Sequence, residues 1–188
     1  SRCSIANYGK KSFIDKPHEE KYFKKVRNHV VLSNVTALSA MKAKAQDLGI
    51  AAVIYSDKFQ GEAREAALKL LNEARTADLI LAGGETTVTA KGDGKGGRNQ
   101  EAVLSALINL PDNIIYCSIA SDGWDNTESA GAIADTETKR KTTEKNLNPQ
   151  EYLDNNDSYA FFATLGDNII TDRLPSNVAD LMLVLKYT

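Results

Sequence analysis

The sequence holds 188 residues, 42% hydrophobic and 26% charged, close to the average of globular domains, with a formal net charge of −2. That length buries a real core as one large domain or two small ones, and the faint acidity excludes nucleic acid as an obligate partner. No run of about eighteen apolar residues offers a membrane span, and Cys3 and Cys117 are too few for a disulfide framework or a zinc site.

The opening SRCSIANYGKK lacks both the apolar core of a signal peptide and an initiator Met, which reads as a trimmed or incomplete chain in a reduced, cytoplasmic setting. Residues 1–27 read as a polar, locally basic lead-in segment and residues 28–188 as an α/β domain. Within the domain, His29–Ser33 (HVVLS) predicts a buried strand. Thr36–Leu48 follows as a helix with Leu38, Met41, Ala45 and Leu48 on one face and Gly49 as its stop. Ile50–Tyr55 predicts a second strand, Glu62–Ala74 a helix striped by Ala63, Ala66, Ala67, Leu70, Leu71 and Ala74, and Asp78–Ala82 a third strand ending at Gly83-Gly84.

Thr87–Ala90 predicts a short strand and Asn99–Leu110 a helix broken by Pro111; Ile114–Ala120 is the fourth long apolar strand. Ala130–Ala134 is small and apolar, and Thr136–Gln150 is polar enough for a loop or a short exposed helix. Ser158–Leu165 predicts a helix, with terminal strands near Ile169–Thr171 and Leu181–Tyr187. Alternation of strands and helices is the signature of a three-layer α/β fold: a mixed, mostly parallel sheet with helices on both faces. Ligands of such sheets bind beyond the carboxyl ends of strands, where Gly83–Thr87 falls.

The densest chemical signal is Gly83–Glu101, GGETTVTAKGDGKGGRNQE. Glycine lets backbone approach a ligand, a helix start offers unpaired N–H groups to an anion, and the fork of Arg98 suits carboxylate or phosphate. The P-loop pattern fails because Lys95 precedes Gly96 rather than Ser or Thr, while Gly92, Gly94 and Gly97 meet the dinucleotide spacing G-x-G-x-x-G. The acidic partner of that fingerprint would have to be Asp112 or Asp122, on either side of the Ile114–Ala120 strand. A hairpin-to-helix connection without a ligand is the plain alternative.

Two further polar clusters follow: Ser121–Glu128 (SDGWDNTE) and Asp154–Ser158 (DNNDS). Asp122 and Asp125 can ligate Mg2+ or serve as turn and cap residues, and Glu85 can be a functional carboxylate or a turn residue. Asp157 or Ser158 reads first as a helix cap. His18 and His29 lack partner spacing for metal or triad chemistry, and neither Ser121 nor Ser129 sits in a G-x-S-x-G frame.

GGETTVTAKGDGKGGRNQE, SDGWDNTESAGA (Ser121–Ala132) and DNNDSYAFFATLGD (Asp154–Asp167), in that order, resemble the carboxyl-terminal, MOFRL-containing half of the type-2 glycerate kinases. NHVVLSNVTALSAM (Asn28–Met41) resembles a segment preceding that domain. The resemblance implies ATP-dependent phosphorylation of the 2-hydroxyl of D-glycerate with Mg2+, in a two-domain enzyme whose cleft holds the site. It implies Arg98 as the active-site arginine, with Gly83, Gly84, Glu85, Thr86, Gly96, Gly97 and Asn99 as substrate- or nucleotide-binding positions. Glu101 matches the same motif without an assigned role, and Asp122 and Asp125 fall on the family's acidic cluster as metal ligands. The chain departs from the family at Asp125-Asn126-Thr127-Glu128, one residue shorter, and at Thr171–Asn177. Nothing in residues 1–27 resembles the amino-terminal domain that supplies a lysine, so the chain is expected to be a fragment, or a truncated relative, inactive without that domain. The older label of hydroxypyruvate reductase for some members, and a stand-alone module binding an organic acid or nucleotide, are the competing readings.

Overall fold

A computed structural model describes residues 19–187, so Cys3, His18 and most of the lead-in lie outside the described residues. The chain divides into two units, Ser1–Val31 and Leu32–Thr188. In the first, the described residues form one 3-10 turn, Glu20–Tyr22. The strand expected at His29–Ser33 is absent, and Val30 and Val31 are 81% and 91% exposed. β-branched residues favour extended backbone, but a strand exists only where a neighbour completes its ladder.

The second unit begins with α1 (Asn34–Asp47), β1 (Ala52–Glu62), α2 (Ala63–Glu73), β2 (Leu79–Thr87) and α3 (Arg98–Ile108). It continues with β3 (Ile114–Ala120), β4 (Gly131–Ala134), α4 (Thr136–Glu144), α5 (Pro149–Asp154), α6 (Ser158–Leu165), β5 (Asn168–Ile169) and β6 (Asp180–Lys186). The strands form one mixed sheet in the order β1-β2-β6-β3-β4-β5. Its direction balance needs correcting. The β1, β2, β3 and β5 strands point the same way, yet β1–β2 is the sole parallel pair, because β6 enters between β2 and β3 and β4 between β3 and β5. The last strand of the chain thus separates two strands that local alternation would place side by side.

Helices cover both faces. On one, Leu38 and Ala45 of α1 pack with Leu79 and Leu81. On the other, a larger core joins α2, α3 and α6 to Ile80, Ala82, Tyr116, Met182 and Val184. Successive residues of β2 therefore enter opposite cores, which is why that strand reads as an unbroken apolar run. Desolvation also pushes the thiol of half-buried Cys117 up to about 12, which keeps it protonated at neutral pH.

Several elements outrun their sequence signals. The β1 strand continues through the polar run Ser56–Glu62, across two register shifts, to pair with Gly84–Thr87. As an edge strand it tolerates polar side chains, and buried Phe59, edge-on to Tyr55 at 5.8 Å, anchors the extension. The separate strand expected at Thr87–Ala90 does not form: β2 runs unbroken through Gly83-Gly84 and ends at Thr87, and residues 88–90 lie outside any strand. In the polar stretch after β4, Asp135 and Thr138 form a capping box that starts α4, and Asn148 with Pro149 starts α5.

The glycine pair at the end of β2 is a packing requirement. A Cβ on Gly83 would meet Leu38 Cδ1 at 3.1 Å, and one on Gly84 would sit 2.0 Å from the carbonyl oxygen of Phe59. Gly84→Ala should therefore push β1 off β2 and lower unfolding free energy by about 2 kcal/mol or more, read as a reduced urea midpoint.

Candidate functional site around Arg98

The carboxyl ends of β2 and β3, the start of β6 and the start of α3 meet at one rim. Asp180, the first residue of β6, lies in register with Gly84 on one side and Ala120 on the other, and is 0% exposed. Arg98, the first residue of α3, reaches it with two bonds: Nε donates to Oδ2 at 2.6 Å and Nη2 to Oδ1 at 3.1 Å. The third contact is from Nη1 to Glu85 Oε1 at 2.7 Å, on a side chain that is 62% exposed. Arg98 thus sits between one buried and one open carboxylate.

The two partners titrate in informative directions. Hydrogen bonding to Asp180 raises the Arg98 pKa further above its ordinary value, burial working against it, so the guanidinium is a permanent cation. Burial raises the Asp180 pKa above the usual carboxylate range, although the Arg98 hydrogen bond opposes this. Desolvation therefore outweighs pairing at Asp180, and without Arg98 that carboxylate would be a buried, unmatched charge.

A second acid sets where the helix begins. Asp125, 4% exposed, accepts from the backbone N–H of Asn99 at 3.1 Å and of Gln100 at 2.9 Å. It also accepts from the side-chain amides of Asn99 and Gln100, at 3.1 and 3.0 Å. Gln100 Nε2 reaches on to Thr127 Oγ1 at 3.1 Å, and Asn99 Oδ1 accepts from buried Ser118. Asp125 is therefore the cap of α3, its carboxylate filling the position that a bound anion would take at this helix start. Gly97 has no side chain because a Cβ there would stand 2.2 Å from the Asp125 carbonyl oxygen.

The glycine-rich loop faces its own chain. Lys91 and Gly92 donate their N–H groups to Asn156 Oδ1 at 2.7 and 3.1 Å, Asp93 to Asn155 Oδ1 at 3.3 Å, and Lys95 to Asp157 Oδ1 at 2.9 Å. Gly94 N–H donates to the Asn155 carbonyl at 2.9 Å. A Cβ on Gly92, Gly94 or Gly96 would fall 2.4, 2.4 or 2.1 Å from Asn155, Asp157 or Ser158. These glycines let two loops touch, and the amides so engaged cannot cradle a pyrophosphate. Gly96 and Gly97, beside Arg98, are not among those donors. Glu101 completes the lock: buried, it accepts from Arg64 Nε at 2.7 Å and from Asn156 Nδ2 at 2.9 Å.

Of the residues expected from the sequence, the fold brings Arg98, Glu85, Asn99, Asp125, Gly84 and Gly97 to one rim, whereas Gly92, Gly94 and Gly96 pack against Asn155–Ser158. Thr86 is buried at the end of β2, and its Oγ1 has no hydrogen-bond partner among the described residues. Asp122 is set apart in its own turn, accepting from the Trp124 N–H at 3.0 Å. No group of three or more His, Cys, Asp or Glu side chains is gathered as a cation site among the described residues. Sequence reading missed Asp180; its only signal was an acid opening the apolar run LMLVLK, directly after Ala179 in a left-handed turn at φ 67°. It also missed Arg64, a helix residue with no motif around it.

Fold and site define the class: a three-layer α/β domain with an arginine fixed among carboxylates where a helix starts beside strand ends. The profile of the MOFRL family matches residues 78–180, and the chain belongs to that family. It is 35% identical over 178 residues to D-glycerate 2-kinase of Thermotoga maritima, covering 88% of this chain and 43% of that protein. It is 32% identical over 173 residues to glycerate 2-kinase of Pyrococcus horikoshii, covering 85% and 39%. The crystal structure of glycerate kinase from Thermotoga maritima superposes with a TM-score of 0.79 at 35% identity, over 85% of this chain and 42% of that one. The chain therefore spans less than half the length of the curated relatives it matches.

Removing the cap tests the interlock. Asp125→Ala strands two α3 amides and two buried side-chain amides, and should lower stability by about 3 kcal/mol. The check is the urea midpoint at an unchanged slope, with unfolding of α3 followed by amide exchange.

Proposed function

We propose that this chain forms the Arg98-bearing wall of a glycerate kinase active site, within an enzyme that uses ATP and Mg2+ to phosphorylate the 2-hydroxyl of D-glycerate in the cytoplasm. The opposite wall, with its lysine, is expected from an amino-terminal domain, since the chain spans only 43% and 39% of the kinases it resembles, and turnover requires both walls. The single observation that carries this reading is the Arg98 guanidinium, aligned by buried Asp180 at the rim and about one-third exposed there. A pre-aligned permanent cation stabilises a carboxylate or a transferring phosphoryl group without reorganising, which is the main protein contribution to phosphoryl transfer.

Arg98 binds the glycerate carboxylate or the transferring phosphate, and the Gly96 and Gly97 amides approach the same anion. Gly83 and Gly84 shape the floor, Glu85 stands beside the acceptor with buried Thr86 behind it, and Asn99 fixes the helix start. Bound Mg2+ would neutralise nucleotide phosphate charge. Of the two acids read as its ligands, Asp122 retains acceptor capacity, which suits a metal carried mainly by phosphates and water. The reductase reading has less support, because the glycines of its fingerprint, Gly92, Gly94 and Gly97, face Asn155, Asp157 and Asp125 at contact distance.

The test joins this chain to its amino-terminal domain and supplies ATP, Mg2+ and D-glycerate. Formation of 2-phosphoglycerate, with kcat/KM lowered on the order of 100-fold or more in Arg98→Ala, is the expected outcome. Equal turnover by the variant, or NADH oxidation with hydroxypyruvate in place of phosphorylation, would overturn it.

A further inference from the structure

We propose that Glu85 is an exchangeable counter-ion for Arg98, a carboxylate that the incoming anion must displace before it can be held. This inference rests on the reading of Arg98 as an anion site and says how that site selects its ligand.

The two carboxylates on Arg98 differ in kind. Asp180 is fully buried, grips Nε and Nη2 together, and begins a central strand, so it cannot leave without breaking the register of β6 with both neighbours. Glu85 makes one contact, from Nη1, and its side chain is mostly in solvent. An exposed single ion pair contributes little and reforms easily with another partner. Asp180 aligns the guanidinium, and Glu85 covers its outward side.

Charge gives the exchange its consequence. Arg98 carries one positive charge, and Glu85, Asp180 and Asp125 all act on it as nearby negative groups. With all three carboxylates in place the neighbourhood opposes an anion. The buried pair at Asp180 and the cap at Asp125 are fixed by structure, so Glu85 is the one negative group that can move aside. A ligand with a carboxylate or phosphate replaces Glu85 on Nη1 like for like. A neutral polyol cannot, because it leaves Glu85 attached. Glu85 therefore acts as a filter for acids over their uncharged analogues.

The position of Glu85 makes the movement easy. It lies on β2 paired to Gln60 of the edge strand, immediately after Gly84. Its backbone is held by the sheet while its side chain points to the open rim, so exchange needs a rotamer change and no strand motion.

Titration of this chain with inorganic phosphate and with D-glycerate, followed by calorimetry at low ionic strength, tests the inference in wild type, Glu85→Gln, Arg98→Ala and the double variant. Glu85→Gln keeps the shape and removes the competing charge, so binding should tighten about three- to tenfold. The gain should vanish in the double variant, and glycerol should gain no advantage over the acids. No tightening in Glu85→Gln, while Arg98→Ala still weakens binding, would overturn the exchange and leave the anion site standing. Equal binding in wild type and Arg98→Ala would remove the anion site itself.

Discussion

The pairing of buried Asp180 with the partly exposed guanidinium of Arg98 is the constraint around which this domain is arranged. A carboxylate at 0% exposure between two strands is tolerated only with a matched cation, and the guanidinium matches it with two bonds. Asp180 belongs to the last strand and Arg98 to the first turn of a helix 82 residues earlier. Their meeting fixes the late strand β6 between β2 and β3, and so fixes the point at which strand ends, helix start and arginine converge.

Around that pair, three stretches of polar sequence hold one another. The Asp125–Thr127 turn caps α3 through Asn99 and Gln100, and the Asn155–Asp157 turn accepts the amides of the glycine-rich loop. Glu101 ties Asn156 to Arg64 on α2. The glycines supply the absent side chains that let these backbones touch. Rigid support on three sides leaves the outward edge of Arg98 as the adaptable part, and Glu85 is what lies against it.

The sequence announced most of the elements because their periodicities are local. The α1, α2, α3 and α6 helices and the β3 strand fall where their apolar spacing places them. The sheet order was not legible, because the insertion of β6 beside β2 depends on pairing across a hundred residues of chain. The His29–Ser33 segment misled for the same reason: its residues favour a strand, but a strand requires a neighbour. Within the site, Arg98 stood out through the charge at the end of a glycine run. Asp125 was visible, but its hold on the first amides of α3 was not, since those donors lie 25 and 26 residues away in the chain. Asp180 carried almost no signal, because one acid before an apolar strand is common.

The chain belongs to the MOFRL family; under the proposed function, the two bonds from Arg98 to buried Asp180 are what prepare that arginine to meet an anion. The most direct measurement is the NMR signal of the Arg98 side-chain Nε–H in this chain. The account predicts a resolved signal that exchanges slowly with water, disappears in Asp180→Asn, and persists when phosphate is added. A signal that exchanges as fast as those of surface arginines, with no change in Asp180→Asn, would contradict it.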